Sequence, residues 1–282
     1  MKIIKPNAEE FKQEHGLEGM LKHIERCGRL CYKSEDKITN DSYIKFVNML
    51  KSKNHGAMLE HGTVYLTIPD EDIFEANDKC RELQVVSGMW GRLASIVREP
   101  LPYSKTTFTR GFVHITTNYR VIIENNLEWL MEKYQILEPT ENHYKRRTFH
   151  ITCNRSISHE FVRHRVFSFA QESQRYCNYS KDKYGNEIKF IEPKALQSLK
   201  DECSMNYAIW YEACARAESD YLGMLSYGAT PQEARDVLPN ATATELIMTG
   251  FEGDWEHFFE LRCAKDAHPQ AQEVANMIRE QF

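Results

Sequence analysis

Between Ser158 and Tyr179 the chain reads SHEFVRHRVFSFAQESQRYCNY, which threads Arg163, Arg165 and Arg175 through Phe161, Val162, Val166, Phe167 and Phe169. This segment constrains the fold more than any other. Its apolar residues call for burial, yet a guanidinium taken out of water without a partner is very costly. Basic groups so mixed with apolar ones cannot all face water, so each arginine needs an anionic or polar partner. Glu160 and Glu172 are near enough in sequence to neutralise two of the three, and Glu160 precedes Arg163 at the spacing of a helical ion pair. A phosphate is the other candidate, since arginine's planar fork suits bidentate contacts, with Ser168 and Ser173 adding neutral donors. On composition alone, a structural salt-bridge network and an anion pocket stand at even odds. His164 taken alone reads more readily as structural than as catalytic.

The rest of the chain supplies the frame. Its 282 residues suffice for one large domain or two small ones. With 14 Tyr, 14 Phe and 4 Trp it is no disordered chain. A net charge of −5 argues against a dedicated nucleic-acid binder. The eight cysteines, Cys27, Cys31, Cys80, Cys153, Cys177, Cys203, Cys214 and Cys263, form no Cys-x-x-Cys pair, so free thiols are expected rather than a zinc knuckle. The opening residues lead into no signal-like apolar run, and no segment approaches the ~18 apolar residues of a membrane span. A cytoplasmic protein is expected, with neither membrane nor nucleic acid as partner.

Periodicity and punctuation predict a mixed, helix-rich α/β fold in a single domain over residues 1–282. The first ~55 residues read as helical, with Asp41 capping a helix whose apolar positions are Tyr43, Phe46, Val47 and Leu50. Strands are expected at 63–68, 112–115, 149–152 and 189–191, helices at 118–134 and 156–166, and a helix or irregular segment at 70–84. Thr230-Pro231-Gln232-Glu233 is a capping-box helix start. Further helices are expected over 194–227, 242–249, 254–264 and 269–282. Residues 124–148 are expected to be an insertion or variable region.

Arg163-His164-Arg165, then seven residues, then Ser173, with Ser168 between and Arg175 two positions on, resembles the signature of the flavin-dependent thymidylate synthases. Six fixed identities in thirteen positions make a specific pattern. Asn54-His55-Gly56 is similar to the family's histidine-bearing turn, Ala234-Arg235-Asp236 to its second arginine motif, and Phe258-Phe259-Glu260-Leu261-Arg262 to its third.

The resemblance implies a homotetramer with sites shared between subunits. It implies FAD as cofactor, NADPH and methylene-tetrahydrofolate as co-substrates, and dUMP as the methyl acceptor. Residue by residue, it places Arg163, His164, Arg165, Gln171 and His55 on FAD. Glu160, Arg163, Gln171, Ser173, Arg175, Arg235 and Arg262 fall on dUMP. Arg262 is the catalytic residue, polarising the uracil ring, as a permanently charged guanidinium suits. Where the family grips the flavin with an amide or basic residue, Gly250-Phe251-Glu252-Gly253 offers none, and His257 is the substitute donor. No cysteine nucleophile is implied. Two rivals stand beside this reading. One is a zinc hydrolase using His55, His61, His159 and His164, whose spacing does not fit a helical zinc motif. The other is a protein that binds RNA or nucleotides through the Arg/aromatic segment.

Overall fold

The computed structural model describes residues 1–84, 87–96, 98–197 and 204–282. From the N-terminus run β1 (Lys2–Ile4), β2 (Asn7–Glu10), α1 (Gly16–Cys31), α2 (Ser42–Ser52), α3 (Gly56–Leu59), β3 (Thr63–Pro69), α4 (Asp70–Leu83) and α5 (Gly88–Ser95). Then come β4 (Lys105–Thr109), β5 (Phe112–Asn118), α6 (Tyr119–Glu124), α7 (Glu128–Tyr134), β6 (Arg146–Asn154), α8 (Arg155–Phe161) and β7 (Ser168–Gln171). The chain ends with β8 (Lys189–Ile191), α9 (Lys194–Gln197), α10 (Met205–Ser226), α11 (Pro231–Ala234), β9 (Ala243–Phe251), α12 (Glu252–Arg262) and α13 (Pro269–Arg279). Two compact units result. The first comprises Met1–Phe11, Arg26–Ile38 and Arg147–Phe282, the second Lys12–Glu25 and Thr39–Arg146.

The second unit is built on an antiparallel sheet ordered β3-β5-β4. Arg110-Gly111 turns β4 into β5, and Gly111 adopts a φ of 93°, open to glycine without steric cost. Val64, Leu66, Ile68, Val113 and Ile115 meet Phe46, Val47 and Leu50 of α2 and Leu130 of α7 in one core. Asp41 stands at the N-cap of α2, but its carboxylate accepts from Thr39 Oγ1 at 3.0 Å and makes no bond to the helix.

The first unit holds a four-stranded sheet ordered β2-β6-β9-β7, with β2 antiparallel to β6 and β7 antiparallel to β9. One sheet face, carrying Phe149, Ile151, Leu246 and Met248, packs with Ile157, Phe161, Trp255, Phe258, Val274 and Ile278 of α8, α12 and α13. A separate parallel pair joins β1 to β8, and Phe190 there clusters with Cys177, Ile188, Cys214 and Tyr221.

Three sequence expectations are corrected. Residues 242–249 are not a helix, because Ala243–Phe251 is the strand β9, flanked by β6 and β7. Its Ala, Glu, Leu and Met residues favour helix locally, but a strand with neighbours on both sides gains more from pairing and burial. The first 55 residues are not wholly helical, since β1 and β2 are claimed by β8 and β6. The helix from 156 stops at Phe161, and the chain turns to begin β7 at Ser168. The helix expected over 194–227 is present as α9 and α10, with 198–203 and Cys203 outside the described residues.

Candidate active site

The strand β6 runs directly into α8, whose start is fixed by Asn154: its Oδ1 accepts from Ile157 N–H at 2.9 Å. Beyond α8 the apolar residues of the arginine segment turn inward. Phe161 meets Phe258 edge-on at 5.0 Å, and Phe167 meets Trp255 at 4.5 Å. Gly250 on β9 permits this, for a Cβ there would lie 2.4 Å from the Phe167 ring. With the phenylalanines inside, Arg163 and Arg165 are forced outward and are exposed. Val166 beside them is 66% exposed.

His164 is buried between them, its ring against Phe258 at 5.0 Å. Its Nε2 accepts from Nε of Arg262 at 2.9 Å, so that nitrogen carries no proton. Burial, then the charges of Arg262 and His257, hold the imidazole down at about 4, below its ordinary 6.5. Arg262 is clamped further by Glu160: Nη1 donates to Oε2 at 2.8 Å and Nη2 to the backbone oxygen at 2.9 Å. Three of its five N–H groups are used, leaving one on each terminal nitrogen.

Glu160 therefore pairs with Arg262 and not with Arg163, and Glu172 neutralises none of the three arginines of the segment. Glu172 is buried, accepts from the Tyr179 hydroxyl at 2.8 Å, and has its pKa raised by burial. The guanidinia of Arg163 and Arg165 make no hydrogen bond or ion pair among the described residues. Arg175 has a neutral partner, Gln232 Oε1, at 3.2 Å from its Nε. Arg235 has a carboxylate only in its exposed neighbour Asp236, at 3.9 Å.

Gln171 closes β7, its Nε2 donating to Ser158 Oγ at 2.9 Å and to Thr244 Oγ1 at 3.2 Å. That fixes the amide and leaves its oxygen as the group to offer. Ser173 is held by its backbone, donating to Cys31 O at 3.0 Å, while its carbonyl accepts from the N–H of Tyr176 and of Cys177. His257 is exposed on α12 and pairs with Glu260 at 3.2 Å. His55 belongs to the second unit, where it is exposed at the N-cap of α3.

The sequence reading missed two features of the first unit. One is a cleft of about 810 Å³ lined by Lys2, Lys5, Lys33, Thr152, Glu172, Tyr179, Thr244 and Glu245 among others, and by none of the predicted site residues. Alternation explains this: Gln171 turns toward α8, so the next residue, Glu172, points away from it. Lys33 bridges toward Glu172 and Glu245, and His150 Nε2 meets Glu245 at 2.8 Å. Burial alone would raise the Glu245 carboxyl, but His150 and Lys33 hold it down at about 2. The other feature is Arg155, whose guanidinium is half-buried and makes no hydrogen bond or ion pair among the described residues. Among those residues no group of three or more His, Cys, Asp or Glu is placed to hold a metal.

The family model described as thymidylate synthase complementing protein matches residues 124–282, more than half of the chain and the whole run from α7 to α13. The chain belongs to this family. The flavin-dependent thymidylate synthase of Pyrococcus furiosus is 33% identical over 130 residues, which are 46% of this chain and 51% of that protein. That of Mycobacterium avium is 33% identical over 140 residues, 45% and 54% of the two chains. The chain spans about half the length of the curated relatives it matches. A solved structure of the UMP/dUMP methylase PolB from Streptomyces cacaoi, bound with 5-Br dUMP, aligns over 100% of this chain and 91% of its own. Its TM-score is 0.45 at 16% identity, too loose a likeness to pair residues. No helix among the described residues is long and apolar enough to cross a membrane.

Proposed function

We propose that this chain is a flavin-dependent thymidylate synthase that methylates dUMP at C5, with methylene-tetrahydrofolate as carbon donor and NADPH as reductant. The observation that carries this reading is the contrast inside the arginine segment. Arg262, His164 and Glu160 are locked together, while Arg163 and Arg165 stand beside them with no counter-ion among the described residues. Exposed guanidinia without a carboxylate suit the phosphates of a dinucleotide, so these two fit FAD. When bound, the flavin supplies the hydride that NADPH delivers. Overall, the two electrons of NADPH turn the methylene carbon into a methyl group and leave tetrahydrofolate.

The chain's own residues do the following. Arg175, Arg235 and Ser173 bind the nucleotide, and Gln171 presents its fixed amide oxygen. Arg262 stays cationic at all working pH values and uses its two remaining N–H groups on the uracil ring, stabilising negative charge that develops there. Glu160 and neutral His164 hold Arg262 in one orientation, so the charge is in place before the reaction. Cys177, beside the arginines in sequence, is wholly buried and serves packing, which supports a route without a thiol nucleophile. The exposed Val166 beside cationic side chains suits a surface covered by a second copy, and a homotetramer with shared sites is part of the same reading. His257 completes the flavin contacts in this reading.

The test is the visible spectrum of the purified protein loaded with FAD, recorded anaerobically before and after NADPH, with and without dUMP. A flavin band retained through gel filtration and bleached by NADPH is expected. A protein that takes up no FAD contradicts the proposal.

A further inference from the structure

The cleft of about 810 Å³ in the first unit has the size of a small-molecule pocket. One of its walls is the parallel pair of β1 and β8. Side chains alternate along a strand, and here Ile3 and Phe190 turn into the cluster that holds Cys214 and Tyr221. Lys2, Ile4 and Lys189 therefore turn the other way, into the cleft, and Lys5 joins them from just past the end of β1.

Lys2 and Lys189 are register partners, side by side on neighbouring strands. Like charges directly opposed in a ladder destabilise it. No carboxylate relieves them, for the side chains of Lys2, Lys5 and Lys189 make no ion pair or hydrogen bond among the described residues. Three carboxylates of the cleft are already engaged. Glu245 is held by Lys33 and by His150 Nε2 at 2.8 Å, Glu172 accepts from the Tyr179 hydroxyl at 2.8 Å, and Glu187 lies 3.9 Å from the Met1 amino group. Glu35 and Asp36, exposed past the end of α1, remain as acceptors for hydroxyl or amino groups. Tyr179 and Tyr184 meet edge-on at 5.4 Å and, with Ile4 and Ile188, give the same cleft an apolar surface for a ring.

Ammonium groups gathered on one wall suit a ligand with several negative charges close together, and lysine binds phosphate as a point charge. We propose that this cleft is a second binding site, for a small molecule carrying a chain of phosphates. A triphosphate has charge for all of Lys2, Lys5 and Lys189, and occupancy removes the repulsion within the ladder. A nucleoside triphosphate also has a ring for the tyrosine wall and hydroxyls for Glu35 and Asp36. The site is independent of the dUMP-methylating reading, since no residue assigned to that reaction lines it.

The experiment measures binding of magnesium-free ATP and of inorganic triphosphate by calorimetry, with excess FAD and dUMP present to occupy the arginines. The proteins are the wild type, the double variant Lys2→Gln with Lys189→Gln, and Lys5→Gln, and each is also melted without ligand. The wild type should bind ATP, and the double variant should bind it roughly tenfold or more weakly, through lost charge-assisted contacts. Lys5→Gln should move in the same direction. The double variant should melt no lower than the wild type, because it relieves the like-charge pair. Tighter binding of ATP than of triphosphate identifies a nucleotide as the ligand, and equal affinities identify the phosphate chain alone. Lysines that only shield the edges of β1 and β8 from other strands predict no binding of either at millimolar concentration, and that result overturns the proposal. So does binding that all the lysine substitutions leave unchanged, which assigns the anion to the arginines instead.

Discussion

Arg147 and Arg163 are the same side chain in opposite circumstances. Arg147 grips both oxygens of Glu10 at 2.8 Å, donates to Gln281 O at 2.7 Å, and lies 3.9 Å above the Phe282 ring. Every feature of it is answered by the chain, and it fastens β2 to β6 and to the C-terminal residues. Arg163 is exposed and answered by nothing among the described residues. Arg262 stands between the two, held by three contacts and still carrying two free N–H groups. On the proposed reading the difference sorts the arginines of this protein: satisfied ones maintain the fold, unsatisfied ones are offered to an anion, and a partly satisfied one is aimed.

Substitutions sharpen that comparison. The largest effect belongs to Arg262→Ala, which should lower dTMP formation by about 10²-fold or more, the order seen for removing a donor to developing charge. FAD binding should persist, and near-normal turnover would remove Arg262 from the mechanism. Arg147→Ala should cost about 2 kcal/mol of stability, through lost charge-assisted hydrogen bonds, with dUMP affinity untouched. Denaturant melts decide this, and a stability loss of under ~0.5 kcal/mol would break the sorting rule. Arg163→Gln with Arg165→Gln should do the reverse: stability within about 0.5 kcal/mol of wild type, but FAD affinity about tenfold lower by fluorescence titration. A destabilised double variant with normal FAD affinity would contradict the assignment.

A gentler test uses pH. His164 is held neutral to about 4, whereas in the unfolded chain it takes up a proton near 6.5. Its contribution to stability is therefore full above 6.5, declines as pH falls through this window, and is gone below about 4. Melting curves of the wild type and His164→Asn should accordingly converge as pH drops from 7 to 4. A gap between them that stays constant would mean that His164 does not accept from Arg262.

The mixed, helix-rich α/β class was legible in the sequence, whereas the partners of the arginines were not. The arginine segment stood out because guanidinia and phenylalanines in alternation admit few solutions, and the capping box at Thr230 formed as written, although its helix lasts only from Pro231 to Ala234. The strand β9 was not legible, because its helix-favouring residues are overruled by neighbours distant in sequence. Glu160 looked like the partner of Arg163 at helical spacing, but Arg262, 102 residues away, takes it. Arg155 was missed for the same reason. A lone arginine after a strand carries no signal until the loop after Arg235 is seen to dock beside it.

The most direct measurement is product analysis after incubating the FAD-loaded protein with dUMP, methylene-tetrahydrofolate and NADPH without oxygen. The account predicts dTMP, formed only when all three are present and abolished in Arg262→Ala. A protein that binds FAD and is reduced by NADPH, yet returns dUMP unchanged, would contradict it.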